Sequence, residues 1–285
     1  MEIKTVGVVG CGLMGSGIVE LIAKNGYQVV VREINDDFLN KGLDRIKGSM
    51  GRGVEKGKLS AADRDAAWAR IKGTTNMKDL AGVDLAIEAA IENLDLKKSI
   101  FKELDQVTRP EVILASNTSS LAVIEMASMT LRQDKVLGLH FFNPVPVMPL
   151  LEMVRTFLTS EETYQTARKF GEGLGKQVIV SKDAPGFIVN ALLVPYLLDA
   201  VRMYENGFAT KEDIDTGIRL GLNHPMGPLT LLDFVGLDTT LFIADEMYKE
   251  LKDPRFAAPA LLRRMVTAGY MGRKSGKGFY DYSKQ

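Results

Sequence analysis

The residues Val6-Gly-Val-Val-Gly10-Cys-Gly12-Leu-Met-Gly15 form a short apolar run that ends in spaced glycines. A helical stretch follows as far as Asn25-Gly26, and a second apolar run, Tyr27 to Arg32, leads directly into Glu33. In a strand, turn and helix unit, the first glycine permits a tight turn, the second lets the backbone approach a pyrophosphate, and the third lets helix and strand pack closely. The pattern predicts a dinucleotide at the N-terminus of the first helix, where unpaired N–H groups favour an anion.

The acid at the end of the second run bears on which dinucleotide is bound. Glu33 follows the glycine turn by about 20 residues, the spacing at which a carboxylate accepts the ribose hydroxyls of NAD. Glutamate is longer than the aspartate often found there, and Arg32 beside it can reach the 2′-phosphate of NADP. The pattern therefore favours NAD and leaves NADP open. An ordinary strand-end carboxylate is the alternative for Glu33.

Length and composition limit the classes of protein that this chain can represent. Its 285 residues are enough for two domains, and its 36 basic and 36 acidic residues create no overall field that attracts nucleic acid or a membrane. The single cysteine, Cys11, excludes an internal disulfide, and no basic-then-apolar leader precedes Val6, which favours a cytoplasmic protein. The longest apolar stretch, residues 187–201, is shorter than the roughly 20 residues of a membrane span. One cysteine and two histidines argue against a metal site.

Short apolar runs bounded by polar residues recur along the first two thirds of the chain and predict buried strands. They are Asp84 to Glu88, Val112 to Ala115, Val136 to Phe141, Leu150 to Val154 and Val178 to Val180. Helical patterns such as Leu94 to Val107 and Glu161 to Leu174 alternate with them. The alternation predicts an α/β fold with a Rossmann-type, doubly wound, mainly parallel sheet.

The pattern changes at Asp183-Ala-Pro185-Gly186, after which hardly a strand candidate remains. Helical periods follow at Phe187 to Asn206, Lys211 to Leu220, Leu229 to Tyr248 and Pro259 to Ala268. We therefore expect a dinucleotide-binding domain over residues 1–184 and a smaller all-helical domain over residues 185–285. The apolar first helix, bent at Pro195, suits the interface of a homodimer or higher oligomer, or burial within one chain.

Polar side chains follow several predicted strands, at the edge of a parallel sheet where ligands bind. His140 lies near the end of one such strand and is preferred to His224, which precedes a proline in a turn. A histidine is suited to take a hydroxyl proton as a hydride leaves, and Glu152 on the next apolar run can orient its imidazole. A packed structural histidine and a solvated Glu152 are the alternatives.

Two further polar residues have a catalytic and a structural interpretation. Ser119, in the polar run Ser116 to Ser120, either donates a hydrogen bond to the substrate oxygen or caps a helix that begins at Leu121. Asn190 lies within an apolar helical stretch, where its amide needs hydrogen-bonding partners, and a role facing the site is one way to meet that need.

Several segments are more discriminating than the glycine turn. They are Gly10 to Gly17, Ile87 to Asn93, Ala115 to Leu121, Gly138 to Met148, Ala184 to Asn190, His224 to Pro228 and Gly272 to Tyr280. Together they resemble the L-3-hydroxyacyl-CoA dehydrogenase family, most closely its short bacterial members, and the resemblance spans nearly the whole chain. It implies reversible hydride transfer between NAD(H) and a short-chain (S)-3-hydroxyacyl-CoA, with acetoacetyl-CoA as the oxidised partner.

The resemblance also implies roles for individual residues. His140 is the general base, Glu152 its orienting partner, and Ser119 and Asn190 hold and polarise the 3-oxygen of the substrate. The residues implied along the dinucleotide are Gly10, Gly12, Leu13, Met14, Gly15, Glu33, Glu92, Lys97, Ser119, Asn143 and Lys274. Those implied against the acyl-CoA are Ser49, Lys56, Ser119 and Asn190.

Two positions depart from the family pattern. Glu33 stands where aspartate is usual, which bears on cofactor choice, and Pro149 stands where lysine is common, which removes a positive charge near His140.

The sequence also allows two other functions. One is an NADP-linked dehydrogenase of a 3-hydroxy acid without CoA, and the other is a non-enzymatic dinucleotide-binding relative with the same fold.

Overall fold

The computed structural model describes residues 2–283 of the chain, which divides into two compact units, Met1–Ala184 and Pro185–Gln285. The first unit contains an eight-stranded sheet with helices, and the second is built of helices. The predicted fold class, a Rossmann-type sheet followed by an all-helical part, is confirmed.

The sheet of the first unit is mainly parallel. Its strands are β1 (Thr5–Val9), β2 (Gln28–Arg32), β3 (Ile71–Thr74), β4 (Leu85–Glu88), β5 (Ile113–Ser116), β6 (Val136–Phe141), β7 (Leu150–Arg155) and β8 (Gln177–Lys182). They lie in the order β3-β2-β1-β4-β5-β6-β7-β8, parallel from β3 to β6, whereas β7 is antiparallel to β6 and parallel to β8. The chain order reverses between β1 and β4, the switch point at which such sheets bind ligands.

Each apolar run forms a strand where it is predicted, and β3 is the strand that the patterns miss. Strand β8, which the apolar pattern predicts to be buried, lies at the other edge of the sheet from β3, and its residues are exposed or half-buried. Strands β4, β5 and β6 are buried along their whole length, as expected of a parallel sheet covered on both faces. Strand β3 lies at the edge of the sheet, and its two central residues, Lys72 and Gly73, are exposed. An edge strand of this composition carries no apolar alternation, so periodicity gives no signal for it.

The helices of the first unit are α1 (Leu13–Lys24), α2 (Asp36–Glu55), α3 (Ala61–Trp68), α4 (Leu94–Val107), α5 (Val123–Ala127) and α6 (Glu161–Gly173). A side-chain oxygen caps the N-terminus of α2, α3, α4 and α6, supplied by Asn35, Ser60, Asn93 and Ser160. Helix α1 differs, because its N-cap is Gly12, which has no side chain that could cap the first amides. The amides of α1 therefore have no side-chain partner of the usual kind.

The second unit contains α7 (Val189–Glu205), α8 (Lys211–Gly221), α9 (Pro228–Val235), α10 (Leu237–Leu251) and α11 (Ala260–Thr267). The single helix predicted from Leu229 to Tyr248 is wrong, because Gly236 at φ +106° separates α9 from α10. A glycine at positive φ redirects the chain without disturbing the apolar period on either side. No helix within residues 2–283 combines the length and apolar character needed to cross a bilayer.

Candidate active site

The glycine turn between β1 and α1 is shaped to admit a ligand. Gly10 has φ +101° and donates its N–H to the carbonyl of Arg32 at 2.8 Å, while a Cβ on Gly15 would overlap the carbonyl oxygen of Gly10. A Cβ on Gly12 would meet no protein atom within 4 Å. The first turn of α1 thus borders on open space at the point where a pyrophosphate binds a helix N-terminus, and the turn fits a dinucleotide.

Glu33 lies directly after β2 and is held against this turn. One carboxylate oxygen accepts the Cys11 N–H at 2.6 Å and the other accepts the Ile34 N–H at 2.9 Å. Two backbone amides therefore fix the carboxylate where the ribose of a dinucleotide is expected. Arg45 on α2 donates to the carbonyl of Cys11 at 3.2 Å, a contact that no sequence motif indicates. Burial, and secondarily Glu33, raise the pKa of the Cys11 thiol to about 12.

His140 and Glu152 face each other across the antiparallel ladder of β6 and β7. Nδ1 of His140 lies 2.8 Å from Oε2 of Glu152, and the side chain of Glu152 is fully buried. A carboxylate can only accept a hydrogen bond, so Nδ1 donates and Nε2 is the nitrogen that carries the lone pair. The alternative in which Glu152 projects into solvent is wrong. The sequence-predicted base and its orienting acid lie in direct contact.

A second buried cluster surrounds Lys97 on α4. Its ammonium lies 2.7 Å from Oε1 of Glu88 and 3.2 Å from Oε2 of Glu92, and only 1% of its side chain is exposed. Glu92 in turn accepts the N–H of Ser119 at 3.0 Å and the hydroxyl of Thr118. The cluster therefore links two residues predicted along the dinucleotide, Glu92 and Lys97, to the loop that carries Ser119.

Ser119 does not cap the helix that follows it. Helix α5 begins at Val123, two residues later than expected, and no side chain of its N-cap residue bonds to it. Asp183 caps it from a distance of about 60 positions in the chain, since its carboxylate accepts the N–H groups of Val123 at 2.8 Å and Ile124 at 2.7 Å. The prediction that Ser119 caps this helix is therefore wrong, and the loop that contains Ser119 is held by Glu92 instead.

Asn117 connects this loop to the strand of the histidine. Its side-chain oxygen accepts the N–H of Phe141 at 2.9 Å, and its own N–H donates to the carbonyl of Glu88 at 2.8 Å. The loop after β5 is thereby joined to the ends of β4 and β6. The sequence patterns assign no role to Asn117, Thr118 or Glu88, and their one signal in the sequence is that they are polar residues at the ends of buried strands.

The remaining predicted residues of the first unit lie on the surface or half-buried. Asn143 is exposed just after β6, and Pro149 is exposed just before β7, where its carbonyl accepts the N–H of Gln177 at 2.8 Å. Ser49 is half-buried on α2 and Lys56 is exposed at the end of that helix. Ser49 and Lys56 are seven positions apart, which corresponds to about two helical turns.

Two predicted residues belong to the second unit. Asn190 is buried in the first turn of α7. Lys274 lies in the turn Arg273–Ser275, and its ammonium is 2.6 Å from Oδ2 of Asp238. His224 is exposed between α8 and α9, with its ring centroid 6.3 Å from that of Tyr196. Among residues 2–283, no group of three or more histidine, cysteine or carboxylate side chains is arranged to hold a metal ion.

Known proteins resemble the chain over its full extent. The 3-hydroxybutyryl-CoA dehydrogenase of Mycobacterium tuberculosis is 51% identical over 98% of this chain and 99% of its own length. The human mitochondrial hydroxyacyl-coenzyme A dehydrogenase is 44% identical over 98% of this chain and 91% of its own. The crystal structure of the (S)-3-hydroxybutyryl-CoA dehydrogenase from Ralstonia eutropha superposes with a TM-score of 0.95 at 46% identity, covering 99% of this chain and all of that one.

Two family models match the two units separately. The 3-hydroxyacyl-CoA dehydrogenase NAD binding domain matches residues 5–184, and the C-terminal domain of the same family matches residues 186–282. The glycine turn and the adjacent Glu33 lie within the first of these matches, so the dinucleotide predicted from the sequence is NAD. With both of its domains present and in order, the chain belongs to the 3-hydroxyacyl-CoA dehydrogenase family.

Proposed function

We propose that this chain catalyses reversible hydride transfer between NAD(H) and C3 of a short-chain (S)-3-hydroxyacyl-CoA, with 3-hydroxybutyryl-CoA and acetoacetyl-CoA as the substrate pair. The relatives from Mycobacterium tuberculosis and Ralstonia eutropha are named for 3-hydroxybutyryl-CoA. The observation that carries the proposal is the contact between His140 and Glu152, 2.8 Å apart at the carboxyl end of β6 in a sheet that also carries a dinucleotide turn.

His140 moves the proton in this reaction. In the oxidation direction Nε2 takes the proton of the 3-hydroxyl as the hydride leaves C3, and in the reduction direction the imidazolium returns it to the developing alkoxide. Glu152 keeps the imidazole in one tautomer and stabilises the positive charge that forms on it. Bound NAD accepts the hydride and bound NADH supplies it.

Ser119 and Asn190 are proposed to donate hydrogen bonds to the 3-oxygen. These bonds strengthen as negative charge builds on that oxygen during reduction, which makes them more favourable in the transition state than in the ground state. The N–H of Ser119 donates to Glu92 at 3.0 Å, which holds its loop, and Asn190 lies in the first turn of a 17-residue helix, so both residues are supported by surrounding structure.

The proposed NAD site combines the glycine turn with charged and polar groups around it. Gly10, Gly12 and Gly15 let the pyrophosphate approach α1, and Glu33 accepts the ribose hydroxyls with a carboxylate that two amides already hold in place. The other residues proposed along the dinucleotide are Leu13, Met14, Glu92, Lys97, Ser119, Asn143 and Lys274.

Ser49 and Lys56 are proposed to contact the CoA portion. Ser49 lies on α2 and Lys56 directly follows the last residue of that helix, and the exposed ammonium of Lys56 suits a phosphate group. Competition by free CoA tests this site directly. An enzyme that acts on a 3-hydroxy acid without CoA would be insensitive to it.

We further propose that the helical unit mediates a homodimer or higher oligomer. Large apolar side chains are exposed on it, among them Leu192 (73%), Phe208 (76%) and Leu220 (70%). Light scattering after size exclusion is expected to give a multiple of the 31.3 kDa chain mass. A monomer at micromolar concentration would contradict the assembly.

The proposed compartment is the cytoplasm, which agrees with the buried free thiol of Cys11 and is tested by cell fractionation.

The decisive assay follows reduced nicotinamide absorbance with acetoacetyl-CoA, using NADH and NADPH in parallel. We expect oxidation of NADH, inhibition by free CoA, and little turnover with free acetoacetate. Faster turnover with NADPH would contradict the cofactor assignment. A protein that binds NADH and turns over neither substrate would be a non-enzymatic relative, and the proposed activity would be rejected.

A further inference from the structure

Glu88 is a buried acid at the end of β4 that the proposed reaction does not use directly. Its side chain is fully buried, and its two oxygens bond to different groups. Oε1 lies 2.7 Å from the ammonium of Lys97 and also accepts the Ala90 N–H at 2.7 Å, while Oε2 accepts the hydroxyl of Ser116 at 2.6 Å. A carboxylate without solvent requires such partners, and removing its charge alters all of them together.

Two routes lead from Glu88 to the loop of Ser119. Along the first, the Ser116 hydroxyl bonded to Glu88 accepts the N–H of Thr118 at 3.2 Å. Along the second, Lys97 lies 3.2 Å from Glu92, which accepts the N–H of Ser119 at 3.0 Å and the hydroxyl of Thr118. The two routes end on consecutive backbone amides. Glu88 is the residue that both routes share.

We propose that Glu88 is a positioning residue that sets the place of the Ser119 side chain through Ser116 and through the pair of Lys97 and Glu92. The inference rests on the proposed role of Ser119 at the 3-oxygen. With glutamine at position 88, the Lys97 ammonium keeps Glu92 as its anionic partner and draws that carboxylate away from the Ser119 amide. A donor displaced by about 1 Å costs up to roughly 100-fold in rate.

The kinetic test combines Glu88→Gln and Ser116→Ala with Ser119→Ala in double-mutant cycles. We expect Glu88→Gln to lower kcat about 10- to 100-fold with acetoacetyl-CoA, and to have little further effect once Ser119 is alanine. Asp105→Asn is the matched control, because it neutralises an acid of the same unit whose side chain is only 10% exposed and pairs with Arg132 at 2.7 Å, and it should leave kcat unchanged. If Glu88→Gln lowered kcat by the same factor in the wild type and in Ser119→Ala, the proposal would be overturned.

A second measurement does not depend on turnover. Amide hydrogen exchange over residues 117–121 is expected to become faster in Glu88→Gln and in Ser116→Ala, but not in Asp105→Asn. If Glu88→Gln does not fold, Ser116→Ala decides the question, since it removes a single hydroxyl. Unchanged exchange in this loop would contradict the role of Glu88. An inactive wild type with the expected exchange pattern would instead contradict the proposed function alone.

Discussion

The two units of the chain bury carboxylates in different ways. At the carboxyl edge of the sheet, Glu152 is bonded to the imidazole of His140 at 2.8 Å and Glu88 to the ammonium of Lys97 at 2.7 Å. Glu88 faces an ammonium group, and Glu152 faces an imidazole that can gain and lose a proton. Their charges are therefore available to hold a catalytic group or a loop in one state.

In the helical unit the buried acids Asp215 and Asp233 accept hydrogen bonds from backbone amides and from hydroxyl groups. Asp215 accepts the N–H groups of Leu229 at 2.8 Å and Thr230 at 2.9 Å at the start of α9, and Asp233 accepts those of Phe279 and Tyr280. Burial raises the pKa of Asp233 against the effect of these bonds. Acids of this kind join distant chain segments and support folding. The contrast predicts turnover defects from one group and stability defects from the other.

Replacement of His140 should have the largest effect on turnover. We expect His140→Gln to lower kcat about 100- to 10,000-fold, the usual contribution of a general base, with NADH affinity retained. His224→Gln is the matched control, because it changes the other histidine, which is exposed in the helical unit. Steady-state kinetics and NADH fluorescence titration measure both quantities. Near-normal turnover of His140→Gln would reject the assignment.

Neutralising Glu152 should have the next largest effect. Glutamine can still accept the Nδ1 hydrogen but no longer stabilises imidazolium, so kcat should fall about 10- to 1,000-fold. Glu20→Gln serves as the control, because Glu20 is a buried acid of the same unit that pairs with Lys24 at 3.6 Å. If both variants retained wild-type kcat, the distinction between the two classes of buried acid would fail.

Removing Asp215 tests the other side of the comparison. Asp215→Ala leaves the first amides of α9 without a partner and removes an acceptor 3.0 Å from the Tyr280 hydroxyl, so the free energy of unfolding should fall by about 2 to 3 kcal/mol. Urea denaturation measures this, with the exposed Glu212→Ala as the control on the same helix. We expect kcat per folded molecule to stay unchanged. A turnover loss without destabilisation would contradict the comparison.

The smallest expected effect is the alkylation of Cys11 in the folded protein. This residue is buried beside an acid in the glycine turn. Its pKa of about 12, raised by burial and then by Glu33, leaves about 1 thiol in 10,000 ionised at pH 8. Because the thiolate is the nucleophile, iodoacetamide should label the native protein negligibly and the urea-unfolded protein readily. Mass spectrometry reads both samples. Rapid labelling of the folded protein would show that the turn is open at this residue.

Some of the site could be anticipated from local sequence and some could not. The link between β6 and β7, residues 142–149, is too short for a parallel crossover, which needs a dozen residues or more. The antiparallel pairing of these two strands therefore follows from the sequence. The register that sets His140 opposite Glu152 was not implicit, because a shift of one residue would turn one side chain to the other face. Lys97 was expected along the dinucleotide, yet nothing local indicated its burial between two acids.

The sequence by itself determined the elements whose causes are local. Three glycines in a fixed spacing require a turn and a close approach of helix and strand, and apolar runs produce buried strands wherever they occur. Only the tertiary structure decided which polar groups meet: Asp183 at the start of α5, Glu88 at Lys97, and Glu92 at Ser119. These bonds join different strands, helices and loops, over 9 to 60 positions of the chain, so they depend on how those elements pack and leave no periodicity in the sequence.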